Sequence, residues 1–190
     1  MEVLETIKTR RSVRKYKTTP VDDRIIEIVL EAGRWAPSWA NSQCWRFIVV
    51  RDADIKSKLA DTAFGVADRP NRASEAFRQA PVVIVACAEL GKSGYSASEP
   101  RKPVTDKGEF WYMFDTALAV QNMVLAAHAS GLGTVIIGAF DAPRAAEILG
   151  VADGYCVVTL FPLGVPDEEP PTRPRKELSE IVFYDKYGLG

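Results

Sequence analysis

The chain has 190 residues, of which 47% are hydrophobic and 26% are charged. At this length a folded chain buries roughly 70% of its unfolded surface, so we expect one domain with its own hydrophobic core. The formal net charge of −1 gives no electrostatic reason to expect a nucleic-acid or membrane-surface partner. The N-terminal stretch is charged and lacks the apolar run of a secretory signal, and no apolar run reaches the roughly 18–20 residues of a membrane span.

The cysteine content argues against a disulfide framework. Cys44, Cys87 and Cys156 are odd in number, lie far apart and show no CxxC or CxH spacing, so we expect neither disulfides nor a metal site. Cys87 and Cys156 sit inside apolar runs, where a cysteine usually serves as a small core residue. Together with the missing signal pattern, this predicts a cytoplasmic protein.

Helical and strand patterns alternate through the first half of the chain. In chain order they predict a helix over 2–9, a helix from Asp22 or Asp23 to about Trp35, a strand over 47–50, a helix from Asp52 or Asp54 that fades before Pro70, and a strand over 82–88. The last of these, VVIVACA, is a continuous run rich in β-branched residues. Such a run is typical of a strand covered on both faces.

The second half begins with a polar stretch, 91–108, which we expect to be a surface loop beside a site. There follow a helix from about Gly108 to Ser130, a strand over 134–140, a helix over Ala142–Leu149, a strand over 155–164, and an extended tail that ends in a strand-like patch at 181–184. The long helix is apolar on nearly every face, so we expect it to be buried all round and to lie partly against a second subunit. Few βαβ repeats occur, which favours an α+β fold with a central mixed sheet flanked by helices, as one domain over 1–190.

The residues needed for common hydrolytic chemistry are missing. The one histidine, His128, lies within the long apolar helix, where a core role is favoured over a catalytic one. The segment GLGTVIIG leaves a helix and opens a strand, the reverse of the order in a dinucleotide-binding loop. Gly131 and Gly133 therefore indicate a helix cap and tight packing, whereas Gly138 marks a place where a group approaches the backbone closely. If the chain is an enzyme, a cofactor supplies the reactive group.

Two arginine-rich clusters, one near each end of the chain, are candidates for binding an anion, because guanidinium groups pair with phosphate through two hydrogen bonds. The members of the first are Arg10, Arg11, Arg14 and Lys15 around Ser12, and those of the second are Arg173, Arg175 and Lys176. Taken alone, the pattern fits a phosphate site and a pair of solvated surface patches equally well.

The segment APSWANSQCWRF is a third candidate. It combines aromatic rings with short polar side chains, among them Ser38, Asn41 and Gln43. Such a set suits a planar heteroaromatic ligand, with the amides reading its polar edge. It suits equally a turn whose tryptophans pack in the core or at an interface.

Taken in order, these segments resemble the nitroreductase family of flavin mononucleotide (FMN) enzymes. The matching stretches are RRSVRKY, APSWANSQCWRF, DTALAVQNMVLAAHASGLGT, VIIGAF and PLGVPDEEPPTRPRKELSEIVFY. Each motif is weak by itself, but the ordered set spans nearly the whole chain and is specific. Cys44 stands where a proline is typical of the family's PSxxNxQPW segment.

The resemblance implies an intertwined homodimer with FMN at the subunit interface, in which an arm formed by 165–190 wraps the partner. It also implies that the flavin carries the chemistry, so that no side chain is assigned a catalytic role. The residues it implies for FMN binding are Arg10, Arg11, Ser12 and Arg14 at the phosphate and ring edge, Pro37, Ser38, Asn41 and Gln43 from the other subunit, Ile136, Ile137 and Gly138 along the isoalloxazine, and Arg173 and Arg175 on the phosphate.

The activity implied is an oxidoreductase that passes hydride from NADH or NADPH to a small electrophilic acceptor, such as a nitroaromatic or a quinone, by a ping-pong mechanism. Three other interpretations stay open. One is a family member with dehalogenase or flavin-fragmenting activity. Another is a non-catalytic flavin-binding protein, and the third is a dimer whose arginines only decorate the surface.

Overall fold

One four-stranded sheet with helices on both faces makes up the fold in the computed structural model, which describes residues 2–65, 71–96, 98–99 and 102–188. The strands are β1 (Trp45–Val50), β2 (Val82–Glu89), β3 (Gly133–Thr134) and β4 (Tyr155–Gly164), in the order β1-β2-β4-β3. The helices are α1 (Val3–Thr9), α2 (Asp23–Arg34), α3 (Ala53–Ala60), α4 (Arg72–Gln79), α5 (Trp111–Ala129), α6 (Ala142–Leu149) and α7 (Leu178–Ile181). The α+β class is therefore confirmed.

The strand pairs of the sheet are all antiparallel within the described residues. Parallel pairing is confined to an isolated bridge between Ser12 and Thr134. The sheet of the single chain is thus antiparallel, where the sequence led us to expect a mixed one, because its strands are joined in an order that reverses direction at each pairing.

Strand β2 lies at the centre of two hydrophobic layers. Val83 and Val85 pack with residues of α3, α4 and α6, whereas Ile84 and Ala86 pack with residues of α2 and α5 on the opposite face. Side chains alternate between the faces of a strand, so a strand buried on both sides needs the unbroken apolar run seen here. The predicted two-sided burial is confirmed.

Local capping signals placed several helix ends correctly. The Asp22 carboxylate accepts a hydrogen bond from the Arg24 N–H (2.8 Å) at the start of α2, and Asp52 accepts one from the Ile55 N–H (2.9 Å) at the start of α3. Gly131, just beyond α5, has the left-handed backbone (φ 79°) that a glycine adopts without steric cost.

Three expectations about the elements are wrong. Helix α4 was not expected, because it is a short polar segment that buries only one large side chain, Phe77. The strand expected over 134–140 extends only over β3, and beyond it Ile137 alone pairs with β4, through Leu160. The strand-like patch at 181–184 instead begins with the last residue of α7 and continues without regular structure, and a reciprocal capping box between Glu177 and Glu180 initiates that helix.

Helix α5 is not buried on every face within one chain. Its first turns leave Met113 and Phe114 exposed, next to an equally exposed Phe110. The tail is also largely exposed and carries Leu178 and Tyr184 into solvent. A single chain therefore displays apolar surface at two places where the sequence led us to expect contacts with a partner. None of the described helices is long and apolar enough to cross a membrane.

Candidate functional site

Backbone hydrogen bonds bring the two arginine clusters together within one chain. The Lys17 N–H donates to the Val165 carbonyl (2.9 Å), and the Asp167 N–H donates to the Lys15 carbonyl (3.0 Å). These bonds pair two segments that run in opposite directions. Residues just before 15 and just after 167 are consequently neighbours.

A cleft of about 300 Å³ forms where these segments meet. Lys15 and Lys176 do not line it, but the other six of the eight cluster residues, those that the resemblance implied for FMN binding, do: Arg10, Arg11, Ser12, Arg14, Arg173 and Arg175. We call this the arginine cleft. The clusters were predicted separately from opposite ends of the sequence, and the fold places them in one concave site.

The arginine cleft carries an excess of positive charge, because Arg72 joins the five arginines named above and the acidic residues of the lining are Glu168 and Glu169. Among the described residues no ion pair uses the guanidinium group of any of the five arginines named above. The pKa of Arg10 is lowered, first by burial and then by the charges of Arg11 and Arg175. Like charges held this close favour a bound anion, which relieves their repulsion and accepts their hydrogen bonds.

Arg11 links the first cluster to the tail directly. Its Nη1 donates to the carbonyls of Lys8 (2.7 Å) and Arg10 (2.9 Å), and its Nη2 donates to Thr172 Oγ1 (2.8 Å). The guanidinium group is thereby oriented before any ligand arrives. An oriented donor loses less conformational entropy when it binds.

Two residues that the sequence analysis missed also belong to the arginine cleft. Glu168 Oε1 accepts a hydrogen bond from the Arg14 N–H (2.6 Å), and Glu168 Oε2 pairs with Arg72 Nη2 (2.9 Å). Glu168 thus fastens the start of the tail both to the first cluster and to α4. Arg72 escaped notice because the helix that it begins was not predicted.

The segment between Pro37 and Gln43 forms a tight loop with an unusual backbone. Ala40, Asn41 and Gln43 have φ angles of 44°, 55° and 46°. Left-handed residues other than glycine cost on the order of 1–3 kcal/mol each and persist only where the surroundings impose them. Within the loop the Gln43 N–H donates to Ser38 Oγ (3.0 Å), and Gln43 Nε2 donates to Asn41 Oδ1 (3.2 Å). Cys44, fully buried, follows this loop and leads into β1.

The segment Ile136–Gly138 continues the edge of the sheet beyond β3. Ile137 is buried, and its N–H and carbonyl both bond to Leu160 (2.9 and 3.1 Å). Ile136 is half exposed, and no atom lies within 4 Å of the position that a Cβ on Gly138 would take. No backbone hydrogen bond in the described part of the chain uses the N–H of Ile136 or Gly138. Of the three predicted residues, these two are the ones with backbone groups open to a ligand.

The arginine cleft and the 37–43 loop lie at opposite ends of the sheet. Ser12 bridges Thr134, which pairs with Leu163 beside Val82, the first residue of β2. The loop instead leads into β1 beside Ala88, near the last residue of β2. Six residues at a rise of about 3.3 Å separate the two ends by about 20 Å. One chain therefore does not bring all the predicted residues into one pocket.

A second cavity, of about 620 Å³, lies beside the 37–43 loop. Trp39 lines it on one side, and Lys92, Tyr95 and Val104 line it on the other. The polar stretch 91–108 folds back on itself here, with a bridge between Tyr95 and Pro103. Residues 97, 100 and 101 of this stretch lie outside the described residues.

His128 is partly buried and lies close enough to Arg10 and Arg11 to feel their charges, rather than in the core. Its Nε2 lies 2.9 Å from Thr9 Oγ1. Its pKa is lowered, first by burial and then by the charges of Arg10 and Arg11.

As for metals, the described residues contain no cluster of three or more His, Cys, Asp or Glu side chains that could hold an ion.

Comparison with known proteins gives a family for this fold and site. The model of the nitroreductase family matches residues 7–165. An NADH dehydrogenase from Thermus thermophilus is 30% identical over 196 residues, which cover 92% of each chain.

Solved structures agree with this result. A nitroreductase family protein from Clostridium novyi superposes with a TM-score of 0.78 at 34% identity, over 100% of this chain and 96% of the other. The NADPH:FMN oxidoreductase of Vibrio harveyi, complexed with NAD+, superposes with a TM-score of 0.83 at 27% identity, over 97% of this chain and 77% of the other.

Proposed function

Because this chain belongs to the nitroreductase family and is an NAD(P)H-dependent flavin oxidoreductase, we propose that its flavin is FMN and that the arginine cleft binds the FMN phosphate. The observation that carries the proposal is the convergence of five guanidinium groups from both ends of the chain, none of which forms an ion pair with a described residue. A phosphate dianion fits this cleft, because it supplies both the negative charge and the acceptor oxygens that the arginines lack.

With the phosphate in the arginine cleft, the positions of the other predicted residues indicate which part of the flavin each would contact. Ile136 and Gly138 follow the arginine cleft along the sheet edge and offer an open backbone to the isoalloxazine. Arg14, with Arg10 and Arg175, holds positive charge near the site and favours negative charge at the pyrimidine edge of the ring. Ile137, which is buried, packs in the core and supports the segment that Ile136 and Gly138 belong to.

A homodimer completes this site in the proposal. The 37–43 loop lies about 20 Å from the arginine cleft along the sheet, so Pro37, Ser38, Asn41 and Gln43 reach the flavin of the partner subunit. The exposed apolar residues of α5 and of the arm over 165–190 are the surfaces that such a partner would cover. One domain over 1–190 and its symmetric copy then share two flavins.

FMN held by the arginine cleft would supply the hydride chemistry, in two half-reactions between NADH or NADPH and an electrophilic acceptor such as a nitroaromatic or a quinone. The protein itself binds and orients the ring, and no side chain is needed as a general acid or base. The 620 Å³ cavity beside Trp39 and Tyr95 gives an aromatic wall against which a planar acceptor can stack. We assign the 91–108 stretch the role of shaping that cavity.

We place the enzyme in the cytoplasm because its three cysteines are all unpaired. Cysteines persist as free thiols in a reducing compartment.

The test is anaerobic stopped-flow mixing of the FMN-loaded protein with NADH or NADPH. The proposal predicts bleaching of the flavin absorbance near 450 nm, on the order of a thousandfold faster than for free FMN. Bleaching no faster than that of free FMN would instead favour the alternative of a non-catalytic flavin-binding protein. Reoxidation in air followed by chromatography then separates a reductase, which returns FMN intact, from a flavin-fragmenting enzyme.

A further inference from the structure

A buried carboxylate in helix α5 contacts the 37–43 loop from below. Asp115 is 1% exposed, and its Oδ2 accepts a hydrogen bond from the Trp39 N–H (3.0 Å). The Ser93 hydroxyl also donates to the same oxygen, and the Ser42 hydroxyl, whose oxygen lies 3.4 Å from it, donates to Ser93 Oγ. No ion pair among the described residues uses this carboxylate. A buried polar oxygen is costly unless it is hydrogen-bonded, so the groups that donate to Asp115 are held in place around it.

The loop that these donors belong to needs such an external constraint. Three of its residues, Ala40, Asn41 and Gln43, have left-handed backbones, which are unfavourable for residues with side chains. Asp115 holds the loop on both sides of Ala40, at Trp39 through its backbone N–H and at Ser42 through the side-chain hydroxyl, by way of Ser93. The Ser42 and Ser93 hydroxyls also bond to each other (2.8 Å), which joins the loop to the start of the 91–108 stretch.

Aromatic packing also holds Trp39 against helix α5. The Trp39 ring contacts the ring of Trp111, the first residue of α5, edge to face at a centroid distance of 4.8 Å. Trp39 therefore has both its backbone and its side chain fixed by α5. The loop is thus attached to this helix at Trp39 by a backbone and a side-chain contact.

We propose that Asp115 is a positioning residue, which holds the strained 37–43 loop in the conformation that presents Ser38, Asn41 and Gln43 to a flavin. The inference rests on the proposed function for the identity of the ligand, but not for the contacts themselves. It adds a residue of α5, distant from the arginine cleft, to the determinants of flavin binding. Ser42 and Ser93 transmit its effect.

The experiment compares the full-length dimeric protein with Asp115→Ala, Asp115→Asn and Ser42→Ala. Asp52→Ala is the matched control, because it also removes a carboxylate that accepts a backbone N–H, at the far end of β1. Hydrogen–deuterium exchange of the peptide spanning 36–44 reports on the loop without flavin, and fluorescence titration reports the Kd for FMN.

Asp115→Ala is expected to speed exchange of the Trp39 amide about tenfold or more and to weaken FMN binding by about tenfold, since several bonds to one oxygen are lost. Asp115→Asn keeps an acceptor for the Trp39 N–H and should restore part of both effects, whereas Asp52→Ala should change neither. If Asp115→Ala fails to fold, Ser42→Ala carries the test with smaller shifts of the same sign.

Unchanged loop exchange and unchanged FMN affinity in both Asp115→Ala and Ser42→Ala would overturn the inference. A wild-type protein that binds no FMN would refute the proposed function instead. The exchange data would still show whether Asp115 holds the loop.

Discussion

Arg10 and Arg175 come from opposite ends of the chain and line one cleft, where the charge of Arg175 acts together with burial and Arg11 to lower the pKa of Arg10. The pairing of residues 15–17 with 165–167 produces this arrangement. It turns two basic patches, each unremarkable in sequence, into one anion site.

Removing either arginine tests that site. Arg10→Ala and Arg175→Ala should each weaken FMN binding by about tenfold to a hundredfold, because each loses charge-assisted hydrogen bonds worth about 1.5–3 kcal/mol. Fluorescence titration of FMN measures the effect. Arg51→Ala, which removes an exposed arginine paired with Asp23, is the control and should leave the affinity unchanged. Wild-type affinity in both cleft variants would show that these arginines are surface decoration.

A substitution at Gly138 should affect flavin binding without affecting the stability of the fold. A Cβ there meets no protein atom within 4 Å, so Gly138→Ala should leave the thermal midpoint within about 1–2 °C of the wild type. If the isoalloxazine lies against this backbone, the same methyl group should weaken FMN binding by several-fold. Gly133→Ala, by contrast, should destabilise the fold by about 1–3 kcal/mol, because its Cβ would stand 2.8 Å from Val13 Cβ. Unaltered flavin binding in Gly138→Ala would remove this segment from the site.

His128 provides a spectroscopic probe of the arginine cleft. Its pKa lies below 6.5 in the free protein because of burial and of the Arg10 and Arg11 charges. A bound phosphate offsets those charges, so FMN should raise the His128 pKa. By linkage, FMN affinity should then increase as the pH falls through the range below 6.5. Since the chain has one histidine, proton NMR of its imidazole gives the titration directly. A His128 pKa that is identical with and without FMN would place the phosphate elsewhere.

The same residue gives a prediction for stability without ligand. A histidine whose pKa is lowered on folding binds its proton more weakly in the native state than in the unfolded chain. Its contribution to the free energy of unfolding is therefore present above pH 6.5 and lost as the pH falls below it. Urea unfolding of wild type and His128→Gln between pH 5 and 8 should show a shallower acid decline in the variant. Parallel curves would exclude this linkage.

A substitution in the exposed apolar turns of α5 tests whether this surface forms the dimer interface. Phe114 is 59% exposed in the single chain, and Phe114→Glu places a charge on the surface that the partner would cover. We expect this variant to become monomeric in light scattering and to lose most of its flavin, because the 37–43 loop of a partner is then missing. Ile28→Glu, at a similarly exposed apolar position on α2, is the control and should remain dimeric. A monomeric wild type would contradict the shared site.

Sequence reasoning predicted what local chemistry determines. Asp22 and Asp52 cap their helices, and the β-branched run at 82–88 forms the central strand, because these signals act within a few residues. It failed where long-range contacts decide. Helix α4 was missed although Asn71 caps it, because it is short and polar apart from a few buried residues such as Phe77. The segment after β3 is held by scattered pairings, of Ile137 with Leu160 and of Phe140 with Ala63, rather than by a regular strand.

In the candidate site, too, the sequence identified individual residues but not the long-range contacts between them. The five arginines of the two clusters were identified from the sequence, but that the clusters share one cleft depends on pairings across the whole chain. Glu168 and Arg72 were missed because their roles depend on contacts between distant segments, with each other and, for Glu168, with the Arg14 N–H. Asp115 was missed because an acidic residue within an apolar helix carries no signal of the loop that it will contact.

The affinity of the purified protein for FMN and for riboflavin, which differ only in the phosphate, tests the central claim most directly. The arginine cleft predicts that riboflavin binds at least about a hundredfold more weakly than FMN, and that the difference shrinks as salt screens the guanidinium charges. Equal affinity for the two flavins would contradict the assignment of the cleft to the phosphate.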